Sequence, residues 1–147
     1  MENIRCRAPK TKAQLRNRSY ALIVLFEIIV LGKEYPALEH LIEKFDNNKW
    51  SHTYWHYYID FEQSKIMDII CRPLPIAVAG EIKNYSFDRK NKEFTLQYTG
   101  TASTKAPTLI YLPSEPKKVY STKAYKYADG ILKVNAGKGE CIVKVEL

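Results

Sequence analysis

Residues 72–113 constrain the fold more than any other span of this chain. The span opens on Arg-Pro-Leu-Pro-Ile-Ala-Val-Ala-Gly and runs through Tyr-Ser-Phe-Asp, Lys-Glu-Phe-Thr-Leu-Gln-Tyr and Ala-Pro-Thr-Leu-Ile-Tyr-Leu-Pro. Pro73 and Pro75 stop a helix from continuing and favour extended backbone. Downstream, Phe94, Leu96 and Tyr98 alternate with polar neighbours, the period-two pattern of a strand with one buried face. A proline-rich apolar connector that feeds short strands marks the point where a chain leaves one domain and starts a β-sandwich.

The strand pattern continues to the C-terminus. It predicts strands over 81–87, 93–98, 108–112, 119–126, 131–135 and 141–146. Turn chemistry separates them: Asp-Arg-Lys-Asn-Lys at 88–92, Asp129-Gly130, and Gly-Lys-Gly at 137–139. Ile131, Val134, Ile142, Val143 and Val145 are candidate core residues. Short strands at this spacing indicate an antiparallel sandwich.

Residues 20–71 follow a different rule. Residues 20–31 are continuously apolar apart from Glu27 and rich in β-branched residues, which suits a strand buried on both faces. Pro36 suits the first turn of a helix. Leu38, Leu41, Ile42 and Phe45 form an amphipathic stripe at helical spacing, so a helix is predicted over 36–45, ended by Asp46-Asn47-Asn48. An aromatic strand over 51–58 and a short helical segment over 62–70 come next. A strand–helix–strand crossover implies parallel strands. Two such strands alone leave edges and an apolar face uncovered, so this part reads as one slice of a larger α/β body.

Charge and cysteine usage narrow the function classes. The net charge is +7. Residues 1–18 carry six basic residues against Glu2, and the remaining 129 residues carry 17 basic and 15 acidic groups. The basic character is therefore assigned to a solvated leader over 1–19 and not to a folded surface, which argues against a nucleic-acid groove. The basic leader followed by the apolar run imitates a secretory signal, but Glu27 interrupts the run and no small-x-small cleavage site follows closely. Twelve residues fall short of the roughly 20 that a transmembrane helix needs. Cys6, Cys71 and Cys141 form no CxxC pair and hence no zinc spacing. Contact between Cys71 and Cys141 stays open.

Several residues could carry chemistry. Glu27 is a carboxylate inside an apolar run, costly to bury unless paired, hydrogen-bonded or placed at a strand end. It could equally face solvent at an exposed edge. Trp55 lies near the end of the 51–58 strand, where a flat indole can stack on a pyranose or pack in a core; Trp50 reads as structural. His52 and His56 share a strand face without converging on one ion, and His40 sits on a helix beside Glu39 and Glu43. Asp60 suits a loop or helix cap better than catalysis with Glu62. No phosphate loop and no Gly-x-Ser-x-Gly element occurs, and no cofactor is implied.

The junction Arg72-Pro73-x-Pro75-x-Ala77-x-Ala79-Gly80 resembles that of the endoglycosylceramidases of glycoside hydrolase family 5, with Leu74 in place of a Tyr. Ser86-Phe87-Asp88, Phe94-x-Leu96-x-Tyr98 and Pro107-Thr108-x-Ile110-Tyr111-Leu112-Pro113 resemble the strands that follow. The resemblance spans residues 21–147. It implies an α+β fragment: the last two βα units of a (β/α)₈ barrel over 20–71, then an antiparallel β-sandwich over 72–147. Glu27 would stand at the nucleophile position and Trp55 beneath the sugar at the cleavage point. Ile28, Ile29 and Phe26 depart from the family's context. The family implies a retaining endo-glycosidase that hydrolyses the glycan–ceramide bond of glycosphingolipids. Its partners would be glycolipid or oligosaccharide, with contact at a membrane surface, in a secreted or lysosomal setting. Retaining hydrolysis needs two carboxylates about 5 Å apart, and no counterpart of the acid/base Glu is present. A barrel takes about 250 residues, so this chain alone is expected to be inactive. The alternative is a non-catalytic carbohydrate- or glycolipid-binding sandwich module.

Overall fold

The computed structural model describes residues 35–50, 52 and 59–147. The chain divides into two compact units that part between Cys71 and Arg72. The expected strands over 20–31 and 51–58 and the leader over 1–19 lie outside the described residues.

Before the division, α1 spans Tyr35–Asn48. It buries Leu38, Ile42 and Phe45, while Leu41 is partly buried. The helix runs three residues past the expected end, and the Asn48 amide donates to the Lys44 carbonyl at 2.8 Å. Lys49 terminates it in the left-handed region, φ 58. The Lys49 N–H donates to the Asp46 carbonyl and the Trp50 N–H to the Phe45 carbonyl, at 3.0 and 2.9 Å. This is a Schellman closure with lysine where glycine is usual. The single helical segment expected over 62–70 is two elements, a 3₁₀ turn at Phe61–Gln63 and helix α2 at Lys65–Ile70. Ser64 divides them with extended backbone, its hydroxyl donating to the Phe61 carbonyl at 2.6 Å. Phe61, Ile66 and Ile69 complete one apolar cluster with the buried stripe of α1. Burying each such side chain stabilises by about 1.5–3 kcal/mol.

After the division come eight strands: β1 Leu74–Ala77, β2 Gly80–Asp88, β3 Glu93–Gly100, β4 Thr108–Tyr111, β5 Lys118–Ser121, β6 Tyr125–Ala128, β7 Ile131–Val134 and β8 Gly139–Glu146. They form two four-stranded sheets, ordered β1-β4-β7-β6 and β2-β3-β8-β5, with every pairing antiparallel. Phe94, Leu96 and Tyr98 of β3 and Cys141, Val143 and Val145 of β8 share one core with Ile110, Leu112, Leu132 and Val134 of the other sheet. The expected antiparallel sandwich is the observed one.

Three details differ from expectation. The proline-rich connector contains a strand, β1, and Pro75 sits in it. β1 is the edge of its sheet, where a missing N–H leaves no ladder bond unmade. The single strand expected over 119–126 is two. β5 pairs with β8 and β6 pairs with β7, so the chain changes sheets between them. The break is a serine turn, in which the Lys123 N–H donates to the Ser121 hydroxyl at 3.2 Å. Ile142 is only partly buried. Period two places it opposite its buried neighbours Cys141 and Val143.

Two hairpins follow turn chemistry directly. Asp129 and Gly130 take φ 52 and 75, a two-residue turn with both central residues left-handed, between β6 and β7. In the β2–β3 turn, the Asp88 carboxylate accepts from the N–H groups of Lys90 and Asn91 at 2.8 and 3.1 Å, and from the Asn91 amide at 2.8 Å. Where β1 crosses to β2, Ala79 is buried and its N–H donates to the buried Thr108 hydroxyl at 2.9 Å. The Ala79 carbonyl accepts from Thr101 N–H at 3.4 Å. The crossover therefore carries its own polar satisfaction.

Candidate functional site

The two residues singled out for catalysis and sugar contact, Glu27 and Trp55, lie outside the described residues, as does His56. Aromatic side chains that precede Trp55 in sequence gather at the end of α1. There the Phe45 ring meets Trp50 at 6.4 Å between centroids and stacks on His52 at 5.2 Å, 14° from parallel. His52 thus packs its ring against Phe45. Trp50 remains half exposed, at 48%. His40 is exposed on α1. Among the described residues no group of three or more His, Cys, Asp or Glu is placed to hold a metal ion. Asp60 does precede the 3₁₀ turn, as a cap residue should, but it is left-handed at φ 63 and its carboxylate makes no cap bond. Asp60 and Glu62 are both exposed.

The cysteines resolve one open point. Cys71 is engaged in a disulfide, whereas Cys141 is a free thiol, 1% exposed. The two are therefore not joined to each other. Cys141 belongs to a small polar cluster inside the sandwich. Its sulfur accepts from the Thr122 hydroxyl at 3.3 Å, and Tyr98 and Thr108 lie beside it. The Tyr98 hydroxyl is buried without a hydrogen bond. Burial, with the Cys141 thiol a lesser contributor, pushes its pKa up to about 12. Burial also raises Tyr111, with Tyr127 adding to the shift.

Among the described residues, two hollows on the sandwich surface stand out. One, of about 380 Å³, lies over β3, β5 and β8 and mixes Glu93 and Glu146 with Lys118, Lys144 and Tyr120. The other, of about 570 Å³, lies between the loops at 101–107 and 135–138 and is walled by lysines, hydroxyls and backbone. Sequence reading did not find it. Its residues come from separated segments, and the positive charge was assigned to the leader. In fact residues 101–138 hold seven lysines against Glu115 and Asp129, and the rest of 19–147 carries the offsetting acids. A near-zero sum over 129 residues hid a strongly basic surface.

Two interlocked antiparallel sheets sharing one apolar core, entered through an Arg-Pro-x-Pro junction, define a β-sandwich domain. Residues 72–142 match the family model described as the glycoside hydrolase family 5 C-terminal domain. Over that span, just under half of the chain, the sequence resembles this family of domains. Endo-glycoceramidase II from Rhodococcus sp. superposes with a TM-score of 0.67 at 21% identity, over 84% of this chain and 32% of that one. The same enzyme's ganglioside GM3 complex superposes with a TM-score of 0.63 at 24% identity, over 76% and 28%. Cryptococcus neoformans sterylglucosidase 1 superposes with a TM-score of 0.66 at 17% identity, over 75% and 23%. At these identities the likeness defines the fold. The chain spans between about a quarter and a third of the length of these structures. No curated protein matches it in sequence.

Proposed function

We propose that this chain is the C-terminal part of a retaining endo-glycosidase that, when complete, hydrolyses the bond between the glycan and ceramide of glycosphingolipids. The observation that carries the reading is the family match over residues 72–142. The structural likeness supports it further. Residues 72–147 make up 76 of the 147 residues, so a superposition over 84% of the chain must also draw on residues before Arg72. In this proposal residues 20–71 are the last two βα units of a (β/α)₈ barrel, with 1–19 as a leader and 72–147 as the sandwich.

In this reading Glu27 stands at the end of a barrel strand as the nucleophile, and Trp55 forms the floor under the sugar. Catalytic residues of such barrels occupy the C-terminal ends of strands. Retaining hydrolysis also needs a second carboxyl about 5 Å away as acid/base. This sequence offers no matching residue, so the 147-residue chain alone has no autonomous activity. A released-glycan assay with ganglioside as substrate tests this. The expected result is no turnover above blank. Turnover that disappears in Glu27→Gln would show a self-sufficient enzyme and overturn the assignment of inactivity. The sandwich also has a complete core of its own, which favours a second reading as a non-catalytic module that meets glycolipid or oligosaccharide.

A further inference from the structure

The 570 Å³ hollow at one end of the sandwich is built rather than incidental. Gly100 ends β3 and lies so close to the Gly137 carbonyl that a Cβ there would overlap it. This approach lays the β7–β8 loop against the start of the β3–β4 loop, which form the two sides of the open hollow. Thr101 and Thr104 share a hydroxyl hydrogen bond of 2.7 Å along one wall. Lys105, Lys133 and Lys138 supply ammonium groups, with Asn135 beside them. Among the described residues no Asp, Glu or aromatic residue lines the space. Among the described residues, none of the three lysines makes an ion pair. Lys133 also faces Lys126 directly across the β6–β7 pair. Like charges directly opposite on a sheet are destabilising. Lys123 adds a further cation over the same loop, donating to the Lys138 carbonyl at 3.3 Å.

We propose that this hollow binds an oxyanion, a carboxylate or phosphate, carried on a hydroxylated group of sugar size. Its volume lies within the range of about 300–1,000 Å³ usual for small-molecule sites. Unpaired ammonium groups recognise carboxylate and phosphate through charge-assisted hydrogen bonds. Threonine, asparagine and backbone groups suit the hydroxyls. Without an aromatic wall a neutral sugar has no face to stack on, so the charge must carry the recognition. The proposal stands independently of whether the complete protein is a glycosidase. Its source, a soluble sugar acid or a lipid headgroup, is separated by the test.

The full chain is titrated by amide NMR with glucuronate, glucose 6-phosphate and glucose, and with phosphatidylcholine vesicles with and without phosphatidic acid. Glucuronate and glucose 6-phosphate are expected to give saturable shifts at 101–107 and 135–138, weakening as salt screens the lysines, and glucose none. Lys133→Gln with Lys138→Gln should weaken binding about tenfold or more, the loss expected when charge-assisted bonds are removed. Lys90→Gln with Lys92→Gln, in the β2–β3 turn at a different loop, should leave it unchanged. If the first pair fails to give a native spectrum, Lys105→Gln alone serves, with a smaller loss. A response only to phosphatidic-acid vesicles, confined to the same amides, assigns the oxyanion to a lipid headgroup. Equal response to glucose, shifts spread over lysines throughout the chain, unchanged binding in the lysine variants, or silence to every probe overturns the proposal.

Discussion

Tyr98 sets a buried hydroxyl beside Cys141 and Thr108 without a hydrogen bond to satisfy it. An unsatisfied buried donor costs about 1–3 kcal/mol. Tyr98→Phe keeps the ring and removes that cost, so it should leave stability unchanged or raise it by about 1 kcal/mol in urea unfolding. The pH dependence has a definite sign. The folded pKa is raised, to about 12, so the fold favours the protonated phenol. Its contribution is fully present below the ordinary tyrosine value of about 10 and is lost as pH rises through the folded value. Tyr98→Phe should reduce the alkaline loss of stability; an unchanged alkaline limb would assign it to other groups. Asp88 behaves oppositely. The backbone N–H of Asn91, then the Asn91 side chain, hold its carboxyl below the usual range. That contribution is present above the ordinary aspartate value of about 3.9 and disappears as pH falls through the lowered folded value. Carboxyl-detected NMR should find the Asp88 midpoint below the ordinary aspartate value, and Asp88→Ala should loosen the β2–β3 turn at neutral pH.

The strands show what a sequence can and cannot convey. Hairpins with Asp-Gly or an Asp-led turn were readable because φ and hydrogen-bonding needs are local. β1 was hidden by Pro75, whose tolerance depends on lying at a sheet edge, a fact about neighbours and not about the residue. The β5–β6 break was hidden because a serine hydroxyl makes the turn without glycine or proline. Register across strands is equally non-local. Gly80, Gly100 and Gly139 stand side by side on β2, β3 and β8, though nothing in their spacing announces it. Two of them test different physics. Gly100→Ala would drive a methyl into the Gly137 carbonyl and should cost about 3 kcal/mol, the upper end for overpacking. Gly139→Ala meets open space, and its penalty comes from φ 95 alone, about 1–3 kcal/mol. Chemical denaturation of the two variants, with amide shifts of 135–138 as a second readout, should find the larger loss and the larger perturbation in Gly100→Ala.

At the scale of the whole molecule, charge and topology each escape a one-dimensional reading. The lysine-walled hollow combines residues 101–107, 133 and 135–138, and summed charge cancels it. The order of the sheets was equally invisible, because period two tells which face is buried but not which strand lies beside which. Five of the seven connections pass from one sheet to the other. Neither sheet is made from a continuous stretch of chain. The last strand, β8, is not peripheral: it lies between β3 and β5, and the Leu147 N–H closes onto the Lys92 carbonyl at 3.1 Å. Deleting residues 139–147 should therefore abolish cooperative unfolding of the sandwich, read as loss of dispersed amide signals. During synthesis the same arrangement imposes a delay. Until residue 147 clears the ribosome, β3 and β5 have no strand to join them, and the emerging lysine-rich segment stays unfolded while it waits.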